Sequence, residues 1–290
     1  MNMKKIRKNK NMKDLSNENI IHVKKDNIEY IQFKKLLEYS DILSHAYSIG
    51  VDVNYRTNRI NGIMSEEEIK VSEKSYKNLC KEVGFEYKNL VKPNQFHTDN
   101  IKIIDKKIQN NLPDFNLEFY NETDGLITNK KDISLSTTNA DCILLMFFDP
   151  VKKVVANIHS GWKGTLNTIS TKTVEKMIYE FKCEPKDIIC CICPSIRKCH
   201  FEVDKDVMEL FFEKFKNLNQ IENIIEKSLD KEKWYIDTVL INKILLEQKG
   251  LKKENIIDSN ICSVCNSDIM HSYRIEKKKY GLETAIIGLK

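Results

Sequence analysis

Two short segments carry side chains able to do chemistry: Ala140-Asp141-Cys142, and Ile158-His159-Ser160-Gly161-Trp162 further on. A cysteine sulfur beside an imidazole is either a soft metal site or a nucleophile with its base; a buried thiol next to a hydrogen-bonded histidine is the structural alternative. The chain between them decides whether they meet. The apolar run Ile143-Leu144-Leu145-Met146-Phe147-Phe148 stops at Asp149-Pro150, and Lys152 and Lys153 follow. Val154-Val155-Ala156-Asn157-Ile158 then restarts the apolar pattern, as expected of two strands around a tight turn. With Pro150-Val151 as the central turn residues, Asp149 pairs with Lys152, and counting outward sets Cys142 directly opposite His159. Opposed Cβ atoms stand about 4.5–5.5 Å apart. That suits two ligands reaching one ion through bonds of about 2.3 Å from sulfur and about 2.0 Å from nitrogen. A longer loop would displace this register.

The surrounding elements follow from periodicity. Gly161-Trp162-Lys163-Gly164 reads as a glycine-flanked turn, and Leu166, Ile169, Thr173, Val174, Met177, Ile178 and Phe181 recur at helical spacing. The start of that helix, with its uncommitted N–H groups, faces the Cys142 neighbourhood and suits phosphate or another anion. Ser65 and Glu68 are spaced as a capping box, opening a helix through Ile69, Tyr76, Leu79 and Val83 to Gly84. Ile101 to Ile104 reads as a strand, which leaves His97 at a strand edge or in a loop. Asp187 to Cys193 reads as a buried strand ended by Pro194, and Asp237 to Lys249 as an amphipathic helix closed by Gly250. Short apolar stretches from Glu29 to Ile49, helix or strand, lead to a break at Gly50. Helices and strands interleave but hairpins are present, so the expected fold class is α+β: a single domain with mixed β-sheets packed against helices.

Composition narrows the function classes. At 290 residues, with 41% hydrophobic and 31% charged side chains, the chain can bury a full core. Its 47 basic and 42 acidic residues leave a net charge of only +5, and no aromatic-interleaved basic motif occurs, so no nucleic-acid partner is expected. No apolar run of about 18 residues argues for a membrane span, and the basic start lacks the apolar centre of a secretory signal. Nine cysteines, an odd and uneven set, fit reduced thiols and a cytoplasmic location. Residues 1–19 read as a disordered basic extension, with residues 20–290 forming the folded domain.

Five ordered motifs resemble those of the YfiH/DUF152 family, also called the laccase-domain or multicopper polyphenol oxidase-like family, which includes FAMIN-type purine nucleoside enzymes. They are Gln95-Phe96-His97, Ala140-Asp141-Cys142, His159-Ser160-Gly161-Trp162-Lys163-Gly164, Cys193-Pro194-Ser195-Ile196 with Phe201-Glu202-Val203, and Ser272-Tyr273-Arg274. The resemblance implies a CNF1/YfiH-like fold and a zinc site formed by His97, Cys142 and His159, the third ligand being one the hairpin alone does not single out. Three protein ligands leave a fourth position open, the catalytic pattern, and zinc there lowers the pKa of a bound water. The implied activities are adenosine deamination and phosphorolysis of adenosine, inosine and methylthioadenosine, with purine nucleosides and inorganic phosphate as partners. His97, Cys142, His159 and Asp141 are the expected catalytic residues, Asp141 either orienting the adjacent ligand or moving a proton. Lys163 and Arg274 are the expected substrate and phosphate contacts. The chain departs from the family's pattern at Lys163, where arginine is usual, at Ile275, where a second arginine is usual, and at Cys193 in place of glycine. Lysine offers anions a point charge instead of a fork.

Rival constellations are weaker. Cys262-Ser263-Val264-Cys265 has zinc-knuckle or redox spacing, with Cys190, Cys191, Cys193 and Cys199 as imaginable partners, but a single C-x-x-C reads first as buried thiols. His22, His45, His200 and His271 stand alone, and only His271, beside Ser272-Tyr273-Arg274, is expected near the pocket. A multinuclear copper centre would consume most imidazoles a protein has, and this chain has six with no H-x-H pair. Copper is nonetheless expected to compete for the same ligands in vitro. A Cys142–His159 hydrolase and a peptidoglycan-precursor editing factor binding a UDP-MurNAc-type ligand are the alternative functions. Monomer and homodimer are both compatible with the sequence.

Overall fold

Leu144, Met146 and Phe148 face one side of their strand and Ile143, Leu145 and Phe147 the other, and all six are buried. A strand covered on both faces reads as a continuous apolar run, which is why no alternation shows in this stretch. The structure, a computed structural model, describes residues 13–25, 28–56, 65–105, 121–218 and 220–290. One six-stranded sheet joins β1 (Ile20–Lys25), β2 (Ile28–Phe33), β3 (Leu43–Ile49), β4 (Leu90–Val91), β7 (Ser134–Asn139) and β15 (Glu283–Leu289) in the order β1-β2-β3-β15-β7-β4. The second contains β5 (Ile101–Ile103), β6 (Gly125–Thr128), β8 (Ile143–Asp149), β9 (Val154–Ser160), β10 (Ile189–Ile192) and β14 (Ile256–Asp258) in the order β14-β10-β8-β9-β6-β5. A small third sheet pairs β11 (Glu202–Val203), β13 (Trp234–Ile236) and β12 (Ile225–Lys227). Parallel and antiparallel pairs coexist, as in β4 with β7 and β8 with β9, and the mixed α+β expectation holds.

The two large sheets pack face to face. Leu135 and Ala285 from one meet Leu144, Met146, Phe148 and Val155 from the other in one core. Asn157 crosses this core, its side chain donating to the Leu135 and Ala285 carbonyls and accepting from Thr137 Oγ1, so a buried polar group locks the sheets' relative position. Helix Glu66–Val83 covers the outer face of the first sheet through Tyr76, Leu79 and Val83. Its ends are as expected: Ser65 and Glu68 form a capping box, and Gly84 closes it in the left-handed region at φ 81°. Helices Ile169–Phe181 and Thr238–Gln248 cover the outer face of the second sheet.

Three expectations are corrected. The β8–β9 loop has four residues, not two: Asp149 pairs with Val154, while its Oδ1 accepts the Val151 and Lys152 N–H groups at 2.8 Å. His159 therefore pairs with Leu144, not Cys142. The turn at Gly161-Trp162-Lys163-Gly164 is itself helical: a single turn, Trp162–Leu166, begins there and ends before Thr168 at φ 58°. So short a helix has little macrodipole to offer an anion. Of the predicted extension, residues 1–12 lie outside the described residues, but 13–19 are docked. Leu15 is buried, and the Asn17 and Asn19 side chains donate to the Ser259 and Asp258 carbonyls. No helix among the described residues is long and apolar enough to cross a membrane.

Candidate metal centre and its cavity

The displaced hairpin register still unites Cys142 and His159. A shift of two positions preserves side-chain parity, so Cys142, which precedes β8, stays on the face of Leu144 and becomes the diagonal neighbour of His159. His97 joins from the loop between β4 and β5, its Nε2 3.9 Å from Cys142 Sγ and its ring edge-on to His159 at 4.8 Å between centroids. The three potential ligand atoms lie within 4.8 Å of one another. Gly161 makes room for them: a Cβ there would sit 2.7 Å from the His97 ring and 3.3 Å from Cys142 Sγ.

The residue that organises the site is Asp124, which the sequence reading missed. It is fully buried at the start of β6. Its Oδ1 accepts the His97 N–H at 3.0 Å and pairs with His159 Nδ1 at 2.8 Å; its Oδ2 accepts from Thr98 N and Oγ1 and from Phe96 N. With Nδ1 committed, Nε2 is the His159 nitrogen left to ligate, the carboxylate–histidine arrangement found behind many metal sites. His97 itself sits at φ 61°, uncommon for a non-glycine residue, with its N–H held by this carboxylate. The only sequence signal for Asp124 was an acidic residue immediately before Gly125-Leu126-Ile127-Thr128, too common to single out.

Electrostatics of the side chains alone favour a Cys142 thiolate paired with a His159 imidazolium, so an ion would have to displace the His159 Nε2 proton to ligate there. Burial raises the Cys142 thiol, but His159 and His97 beside it outweigh this and bring it down to about 6. Burial also opposes charge on His159, yet the Cys142 sulfur and the Asp124 carboxylate lift it to about 10. Burial pushes Asp124 up, and the bonds from His159 and Thr98 more than offset it, holding the carboxyl below its ordinary value. A sulfur kept as thiolate beside two imidazoles is a donor set that fits zinc.

A cavity of about 580 Å³ opens over the triad, lined among others by Gln95, Ile196, Phe201, Tyr273, Arg274 and Tyr280. Such a volume suits a ligand of nucleoside size. Arg274 stands in this wall, its Nη2 donating to the Glu202 carbonyl at 3.1 Å. Lys163 does not: it is exposed, with its ammonium 5.5 Å from the Trp162 ring centroid, and is absent from the lining. Asp141 lines the cavity, but its carboxylate already accepts from Ser263 Oγ at 2.6 Å, Ser272 Oγ at 3.0 Å and Arg274 N at 2.7 Å. It ties three loops together and none of these bonds reaches Cys142; the carboxylate bonded to the two histidines is Asp124. His271 lies outside the lining, its ring nitrogens facing Glu276 and the Val53 carbonyl. Cys190, Cys191 and Cys193 are buried thiols as expected, but Cys199 and Cys265 are exposed and meet Cys262 and His200 in a second cluster.

The chain is 29% identical over 224 residues to purine nucleoside phosphorylase LACC1 of Homo sapiens, a match covering 76% of this chain and 48% of that protein. The chain thus spans about half the length of that relative. It is 29% identical over 196 residues to adenosine deaminase RL5 from an unknown prokaryotic organism, covering 68% of this chain and 73% of the other. The crystal structure of YlmD from Geobacillus stearothermophilus superposes with a TM-score of 0.77 at 19% identity, covering 92% of this chain and 98% of that one, which shows the shared fold. The family model for multi-copper polyphenol oxidoreductase laccase matches residues 52–290, and the chain belongs to that family.

Proposed function

We propose that the chain is a zinc-dependent purine nucleoside enzyme that deaminates adenosine and phosphorolyses adenosine, inosine and methylthioadenosine. The carrying observation is the His97–Cys142–His159 triad, braced by Asp124, at the base of a nucleoside-sized cavity. The relatives named for purine nucleoside phosphorolysis and adenosine deamination support the substrate class. His97, Cys142 and His159 would hold the ion, which when bound supplies Lewis acidity and an activated water for attack at a purine carbon. The remaining chemistry belongs to the chain. Phe201, Tyr273 and Tyr280 offer aromatic surface for a purine. Gln95, whose amide is bonded to the Thr138 backbone in both directions, holds the loop carrying His97 against β7. Arg274 is the cation placed to hold phosphate against the sugar, where phosphorolysis needs it. Nine free cysteines support a reducing, cytoplasmic setting.

The test is chromatography of a nucleoside panel incubated with the purified, metal-assayed protein, with and without phosphate. Inosine from adenosine without phosphate, and hypoxanthine from inosine only with phosphate, are the expected products; neither product from zinc-loaded protein overturns the reading. The lowered Cys142 thiol beside His159 favours one second reading, a thiolate nucleophile with an imidazole partner. Activity surviving complete metal removal would select it.

A further inference from the structure

We infer that Cys199, His200, Cys262 and Cys265 form a second metal site, a closed tetrahedral zinc site that pins the loop leading into Phe201 of the cavity wall to the loop carrying Ser263. The side chains come from separate parts of the chain: Cys199 and His200 from the turn before β11, Cys262 and Cys265 from the loop after β14. Their potential ligand atoms converge. Cys199 Sγ lies 3.7 Å from Cys262 Sγ and 4.0 Å from Cys265 Sγ. His200 Nδ1 lies 3.1 Å from Cys199 Sγ and 3.6 Å from each of the other two sulfurs. A tetrahedron with bonds of about 2.3 Å to sulfur and about 2.0 Å to nitrogen has edges of about 3.8 Å between sulfurs and about 3.5 Å between sulfur and nitrogen. Four of these five edges lie close to that figure, and the short one joins sequence neighbours. The sulfurs are far beyond the roughly 2.05 Å of a disulfide.

Donor chemistry and position agree. Three thiolates and one imidazole are a structural zinc set, and four protein ligands leave no open position for substrate, unlike the triad. The Cys262–Cys265 spacing wraps one short 3-10 turn, Val264–Asn266, so both sulfurs leave the same bend. Without an ion, only weak thiol contacts, Cys199 Sγ to Cys265 Sγ at 4.0 Å and both sulfurs to His200 Nδ1, would hold the exposed Cys199 and Cys265 side chains together.

The site has a mechanical role. Cys199 and His200 immediately precede Phe201 and Glu202, and Cys262 and Cys265 flank Ser263, whose hydroxyl donates to Asp141 beside Cys142. The direct backbone link between these loops is short, a bridge between Ser195 and Cys262 with hydrogen bonds from Ser195 N to Ile261 O and from Ser263 N to Ser195 O. An ion at the four side chains would fix the segment bearing Phe201 against the loop whose Ser263 holds Asp141, the neighbour of Cys142.

Metal analysis and cobalt substitution test this with readouts other than activity. Purified wild-type chain from zinc-supplemented culture is expected to carry two equivalents of zinc. Cys142→Ala and the Cys199→Ser/Cys265→Ser variant, which changes only exposed sulfurs, are each expected to carry one. Cobalt-loaded proteins give thiolate-to-metal absorption that scales with the sulfurs bound: strongest in wild type, still strong in Cys142→Ala with three thiolates, weak in the double variant with one. A wild-type chain with one equivalent that disappears entirely in Cys142→Ala overturns the inference. So does a Cys199 disulfide to Cys262 or Cys265 in freshly isolated protein, seen by mass spectrometry without reductant. Should the double variant fail to fold, the wild-type metal count and the Cys142→Ala cobalt spectrum still decide.

Discussion

Replacing Asp124 by asparagine removes a charge and one acceptor from a buried group that serves five donors. Oδ1 takes the His97 amide and His159 Nδ1, and Oδ2 takes the Phe96 and Thr98 amides and the Thr98 hydroxyl. Asparagine has one oxygen. If that oxygen stays with Phe96 and Thr98, the new NH2 confronts the His97 amide, and His159 must move its proton to Nε2 to accept at Nδ1, blocking the ligating lone pair. If the oxygen turns to His97 and His159, the Phe96 and Thr98 amides face a donor. Each orphaned amide costs about 1–3 kcal/mol. Losing the carboxylate behind a ligating histidine typically weakens metal binding about 10–100-fold, or about 1.4–2.8 kcal/mol. The assay is zinc competition against a chromophoric chelator, run in the Cys199→Ser/Cys265→Ser background so that only the triad is read, with melting curves of loaded and stripped protein. The stripped protein should melt lower than its parent because the loop loses amide partners, and loading should raise the variant less. Asp124→Asn protein that binds zinc as tightly as its parent would refute the argument that this carboxylate sets the His159 tautomer.

Other outcomes follow from the same geometry. Gly161→Ala keeps an allowed backbone, φ −63°, but its methyl would press on His97 and Cys142; metal at the triad should fall while far-ultraviolet circular dichroism stays unchanged, and retained metal contradicts the packing argument. Arg274→Ala removes a charge-assisted contact worth about 1.5–3 kcal/mol, so KM for phosphate should rise about 10–100-fold while deamination persists; an equal loss in both reactions argues against a phosphate role. His45 is buried with Nε2 accepting the Phe33 N–H at 2.7 Å, and burial holds its pKa down to about 3 against about 6.5 in the unfolded chain. The unfolded state takes its proton first, so stability is full above about pH 6.5 and falls as pH drops toward about 3, with about 2 kcal/mol lost by pH 5. Urea unfolding of wild type and His45→Gln at pH 7 and pH 5 reads this, and identical pH slopes would contradict it.

Local signals made much of the fold legible. The capping box at Ser65 and the left-handed close at Gly84 are recognised by residues within a few positions of each other, and they bounded their helix correctly. The two apolar runs after Cys142 became β8 and β9, and side-chain parity brought Cys142 and His159 to one face even though the register was wrong by two. That error arose because Asp149 folds its carboxylate onto the Val151 and Lys152 amides, a side-chain turn that lengthened the loop. Cys199, Cys262 and Cys265 read from sequence first as buried thiols because a lone C-x-x-C has no partner until two loops remote in sequence are placed side by side.

Residue types and periodicity determined the α+β class and most element boundaries, and the motifs' family resemblance picked out His97, Cys142 and His159, which the fold brings within 4.8 Å of one another. Those features depend on neighbours along the chain or on side chains whose chemistry is unusual wherever they occur. Tertiary structure alone decided that Asp124 meets His97 and His159 while Asp141 meets Ser263, Ser272 and Arg274, that Arg274 lines the cavity while Lys163 stays outside, and that His200 stands among three scattered thiols. A carboxylate or a cation is common and chemically anonymous in sequence. Its role is set by which donors or cavity it meets after folding, and only packed sheets and crossing loops can specify that.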